Sequence, residues 1–120
     1  MPASYSIDPE RRLVTIRVWG VFTNDDFRDV REWLLAEPLF HPTYRQLADL
    51  TEVSEVEVSH GVIASFAHRP LFAPGVDRAF VGTTTAHFSV ARLIGLYAEA
   101  VGQRLMVFRD RGVAEAWLGV

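Results

Sequence analysis

No cysteine occurs among the 120 residues, which excludes disulfides, thiol nucleophiles, iron–sulfur clusters and cysteine-ligated zinc. Lysine is missing too, since all twelve basic residues are arginine. Schiff-base and Walker-type phosphate chemistry both depend on a lysine amine and are excluded with it; the absence itself reads as coding bias. No apolar run approaches the roughly 20 residues needed to cross a bilayer, and Asp8, Glu10, Arg11 and Arg12 stand where a signal peptide would need an apolar block. The expectation is a cytoplasmic protein with no transmembrane segment. The net charge is −3 and the arginines are scattered from Arg11 to Arg111, so no basic stripe exists to neutralise a run of phosphates. Nucleic acid is not an expected partner. Glycines occur singly, leaving no phosphate-cradling loop.

What remains is an ordinary globular composition, 49% apolar and 22% charged, in a chain long enough for one core and too short for two. One domain over residues 1–120 is expected. "SYSID", "PERR" and "LVTIRVWG" read as strand, turn and strand, an opening β-hairpin with Val14, Ile16 and Val18 on one face and Thr15, Arg17 and Trp19 on the other. Thr23 and Asp26 stand in capping-box spacing before a helix whose stripe is Phe27, Val30, Trp33 and Leu34, ended by Pro38. "YRQLADL" is a short strand, and "SHGVIASFAHR" a helix with Val62, Phe66 and Ile63 inward. "DRAFVGTTT" is a strand. From His87 to Val101 the positions Val90, Leu93, Ile94, Tyr97, Ala98 and Val101 follow helical spacing. "RLMVF" reads as a centrally buried parallel strand, and "DRGVAEAWLGV" as a closing helix capped by Asp110 and docked by Val113, Ala116 and Trp117.

The order β-β-α-β-α-β-α-β-α implies a single-domain α/β fold, with a mixed, mostly parallel sheet that opens on a hairpin. The segments "VTIRVWGVFTNDDF", "LADLTEV", "HGVIASF" and "MVFRDRGVAEAWL" resemble the STAS domain, and more closely the small bacterial SpoIIAA-like proteins that share a fold superfamily with CRAL-TRIO lipid carriers. The resemblance implies a non-catalytic binding or regulatory module acting through a protein partner. It also implies an alternative, a carrier or sensor of a small apolar or anionic ligand held between helices and sheet, with Phe66, Phe72, Phe80, Phe88 and Tyr97 as lining material.

Catalytic patterns are sparse. Ser59 and His60 are adjacent, so on a helix they point about 100° apart and cannot pair as nucleophile and base. None of the serines has the flanking glycines of a nucleophile elbow. His41, His60, His68 and His87 lack metal-ligand spacing. No catalytic residue, metal or cofactor is therefore assigned, and no enzyme is expected. Asp49, Glu52, Glu55 and Glu57 read as a solvated acidic loop. In a parallel sheet, sites lie beyond the carboxyl ends of strands. Those ends are expected to supply Asp49, Thr51, Thr83, Thr84, Thr85 and Arg109, either as a ligand or anion site or as turn and cap residues. The resemblance places a switch serine just before a glycine at the start of the second helix, where this chain has His60 before Gly61; Ser59 is then a degenerate phosphosite or a helix cap. Trp19, on the face expected to lack helices, is the candidate for self-association as a homodimer.

Overall fold

A computed structural model describes residues 2–120. The chain runs β1 (Ala3–Asp8), β2 (Leu13–Thr23), α1 (Asn24–Ala36), β3 (Arg45–Glu57), α2 (His60–Ala67), β4 (Asp77–Val81), α3 (Thr85–Ala100), β5 (Arg104–Phe108) and α4 (Arg111–Leu118). The five strands form one sheet in the order β1-β2-β3-β4-β5. β1 is antiparallel to β2 and every other pair is parallel. This is the α/β architecture that the element order implies.

Local chemistry accounts for most boundaries. The Thr23 hydroxyl accepts from Asp26 N, while the Asp26 carboxylate accepts from Thr23 N at 2.9 Å, so two otherwise orphaned donors at the start of α1 are satisfied reciprocally. Ser59 caps α2 by accepting from Val62 N, and Asp110 caps α4 by accepting from Val113 N. Gly119, at φ 81°, closes α4 in the left-handed conformation that glycine adopts without a Cβ penalty.

The face carrying Val14, Ile16 and Val18 is buried under α1, α2 and α3, together with Ala48, Leu50 and Phe80. The opposite face is not bare. There α4 lays Ala114 and Leu118, with Trp117 beside them, on Leu13, Leu47, Ala79 and Val81. The docking residues of α4 are thus Ala114, Trp117 and Leu118, whereas Val113 is 56% exposed. In α2 it is Ile63 that is fully buried.

Two further expectations are corrected. β5 lies at the edge of the sheet, with Met106 48% exposed; its apolar sequence reflects α3 on one face and α4 on the other, and says nothing about lateral position. The acidic stretch after Asp49 is strand, and β3 continues through it to Glu57. Its pairing with β2 slips between Arg17/Trp19 and again between Gly20/Val21, each time placing an extra residue in β3, which is the signature of a β-bulge. Valine, β-branched and suited to a pleated surface, supplies its inward or half-buried positions at Val53 and Val56.

Candidate functional site: an apolar cavity with a buried arginine

At the carboxyl ends of the strands the structure places the expected polar residues in three local pairings. Asp49 and Thr51 lie within β3, because the strand extends past them. The Thr51 backbone N–H and hydroxyl both donate to Asp49 Oδ1, at 2.9 and 2.6 Å, and Arg111 approaches Asp49 at 3.7 Å. Thr84 caps α3, and the amides of Thr83 and Thr84 donate to His87 Nδ1 at 3.0 and 3.3 Å; Thr85 is the first residue of the helix. His87 is 2% exposed, and its Nε2 lies 2.7 Å from Val53 O. With Nδ1 accepting twice, the ring proton is on Nε2 and donates to that carbonyl. Arg109 stacks over Phe88, 4.5 Å from the ring centroid.

Ser59 is exposed at the start of α2, and its backbone N–H donates to Asn24 Oδ1 at 2.8 Å. His60 Nε2 hydrogen-bonds the Tyr97 hydroxyl, and His41 Nδ1 lies against the Thr43 hydroxyl. Among the described residues no three metal-ligating side chains gather. Trp19 is half-buried beneath the Arg17 guanidinium, 4.7 Å from the ring, and Arg17 is itself held by both Glu52 oxygens at 2.7 and 2.8 Å. Arg17, with Glu52 behind it, is therefore what covers this ring.

The concave site lies elsewhere, on the helix-covered face. α2 packs chiefly against α3 rather than on the sheet. It is held off by the Ser59–Asn24 bond, by stacking of Phe27 on Phe66 at 5.4 Å, and by the Arg31 guanidinium, which donates to the Arg69 carbonyl. Beneath it remains a cavity of about 130 Å³, walled by Phe27, Val30 and Arg31 of α1, Ile63, Phe66 and Ala67 of α2, and Ile94, Tyr97 and Ala98 of α3. Its floor is sheet: Ile16, Val18, Ala48, Leu50, Phe80, Gln46 and Arg78, closed at one side by Leu71, Phe72 and Gln103. Four of the five aromatic residues proposed as lining are there; Phe88 is not.

Arg78 is the unexpected occupant. It sits two residues before buried Phe80 on β4, so the period of the strand turns it to the same face. Its Nε donates to Gln46 Oε1 at 2.6 Å and its Nη1 to Gln103 Oε1 at 2.9 Å. The guanidinium also lies 4.7 Å from the Phe72 ring centre and 5.7 Å from that of Phe80. It lines the cavity and remains partly accessible. Loss of hydration through burial pulls it down to about 9, which leaves it charged at neutral pH. Arg31, at the helix wall, is also lowered, first by burial and then by the neighbouring Arg69. Sequence reasoning missed Arg78, Gln46 and Gln103, although parity with Phe80 and with Ala48 and Leu50 would have found the first two.

No family model matches the chain, and no curated protein matches it. Among solved structures it is similar to an uncharacterised protein of the DUF3478 family from Shewanella loihica PV-4, described as having a SpoIIAA-like fold. The likeness has 17% sequence identity and a TM-score of 0.62, and covers 97% of this chain and 93% of that one. At that identity it bears on the backbone alone, and what it establishes is that this chain has a SpoIIAA-like fold.

Proposed function

We propose that this protein is a non-catalytic binding module that holds a small, largely apolar ligand between its helices and sheet, as a carrier or sensor. The observation behind this reading is the aromatic-lined cavity itself. A well-packed core leaves few voids larger than a water molecule, and an engineered apolar cavity of about 150 Å³ takes up benzene. At about 130 Å³ the cavity suits a body the size of one ring or a short alkyl chain. It is well below the roughly 300–1,000 Å³ of sites for drug-sized ligands, and a long-chain lipid would not fit inside it.

Native mass spectrometry of freshly purified protein, followed by titration with small apolar probes such as toluene and monitored by methyl NMR, tests this. The expected result is a co-purified or titratable ligand that perturbs Ile63, Ile94 and Leu71. Absence of both a co-purified mass and any saturable perturbation would overturn it. A second reading, docking of a protein partner near Ser59, is supported by the exposure of that residue at the start of α2. The two are compatible, because α2 is also a wall of the cavity.

A further inference from the structure

We propose, resting on the cavity reading above, that the ligand carries a single carboxylate, and that Arg78 on the cavity floor receives it. Five of the other arginines are paired with carboxylates, and Arg31, the other arginine at the cavity, donates from the helix wall to the Arg69 carbonyl. Arg17 pairs with Glu52, Arg104 with Asp77, Arg111 with Asp49 and Glu115, Arg28 with Asp25 and Arg11 with Asp8. These are exposed or half-exposed pairs, where a carboxylate adds little. Arg78 is the arginine pulled far down by burial, and no carboxylate pairs with it among the described residues. Burying a cation without a counter-ion is costly, and an apolar side chain of similar volume would serve stability at least as well.

The two glutamines orient this cation without neutralising it. Gln103 Nε2 donates to the Phe72 carbonyl at 2.7 Å, which fixes the amide with its oxygen towards Arg78. Of the five N–H groups of a guanidinium, two are thus engaged, one on Nε and one on Nη1. Nη2 makes no protein hydrogen bond among the described residues, yet no sealed polar side-chain atom lacks a partner, so Nη2 opens onto accessible space. Its free N–H groups and the remaining one on Nη1 match a planar, singly charged acceptor. The aromatic walls take the apolar body. A cationic ligand would be repelled by Arg78 and Arg31, and a neutral one would leave the charge uncompensated. The ligand class that satisfies volume, wall and floor together is a small monocarboxylate with a ring or short alkyl body.

The test compares benzoate with its neutral isostere benzamide, by calorimetry and by NMR of the Arg78, Gln46 and Gln103 side chains, in wild type and in Arg78→Met. Expected is a benzoate preference of about 10- to 100-fold in wild type, the scale of one or more hydrogen bonds to a charged group, with the preference abolished in Arg78→Met. Equal binding of the two probes in wild type would overturn the carboxylate inference and leave the cavity reading standing. Failure of both to bind at millimolar concentration would overturn both. The wild-type comparison needs no variant, so it decides the matter even if Arg78→Met does not fold; Arg78→Lys, which keeps the charge and loses the planar fork, is expected to retain a reduced preference.

Discussion

Replacing Gly82 with alanine probes the contact that seats α3 over the sheet and so sets one wall of the cavity. The added methyl carbon would lie 2.5 Å from His87 Cβ and 3.3 Å from His87 Cγ, whereas non-bonded carbons settle at about 3.5–4.0 Å. The β4 exit and the first turn of α3 must therefore separate by about 1 Å, and overpacking of this kind costs roughly 1–3 kcal/mol. The same movement strains the three hydrogen bonds of the imidazole, to Thr83 N, Thr84 N and Val53 O. Leaving one buried group unpaired adds about 1–3 kcal/mol. Gly82→Ala is accordingly expected to lose about 2–6 kcal/mol, lowering Tm by on the order of 10 °C for a domain of this length. Because the obstructing atom is Cβ, the steric part should persist in a His87→Ala background and vanish in His87→Gly. Urea unfolding followed by circular dichroism across the six combinations measures this. A Gly82→Ala protein within about 0.5 kcal/mol of wild type, the scatter of ordinary surface substitutions, would refute the reasoning, as would complete relief of the steric penalty by His87→Ala.

Three further outcomes are expected. Ser59→Ala should lose about 1 kcal/mol through the α2 cap while Ser59→Asp keeps it; unfolding curves check this, and a change in partner capture with either variant at unchanged fold would mark a switch. Trp19→Ala should forfeit about 0.5–1 kcal/mol of its interaction with Arg17 and leave the sedimentation coefficient unchanged; a shift to a smaller species would assign Trp19 to self-association. Carboxylate binding should be weaker at pH 10 than at pH 8, since burial pulls Arg78 down to about 9 and loss of its proton in the free protein competes with the anion. The other titratable groups lining the cavity are Arg31 and Tyr97, and Tyr97→Phe isolates the tyrosine's share; calorimetry showing equal affinity at the two pH values, with the protein folded, would contradict the assignment.

Much of the fold was legible because it was written in local chemistry. Alternation at Val14, Ile16 and Val18, the Thr23–Asp26 box and the periodic apolar positions of α3 each specify an element without reference to the rest of the chain. β3 was not legible beyond Leu50. Its inward positions are Ala48, Leu50, Val53 and Val56, spaced two, three and three, because each bulge inserts a residue and breaks the period on which strand recognition depends. The edge position of β5 was hidden for a different reason: a strand covered on both faces has the same sequence whether or not a neighbour pairs with its far side. The cavity floor was half-legible. Parity marks Arg78 and Gln46 as inward, but that Gln103 would join them from outside any strand is a matter of tertiary placement.

The length of β3 has a consequence for how the protein behaves in company. β4 pairs only with Gln46 to Asp49, so from Leu50 onward β3 has a partner on one side alone, and its other side offers backbone groups to any passing extended chain. The chain answers in two ways. The His87 imidazole takes the Val53 carbonyl, occupying with a side chain the place a foreign strand's amide would seek. Glu55 and Glu57, both exposed and outside any ion pair among the described residues, set like charges along the remainder, so that a second copy laid edge to edge meets its own carboxylates. Like charge along this segment disfavours edge-to-edge pairing at the place where the sheet could otherwise keep growing.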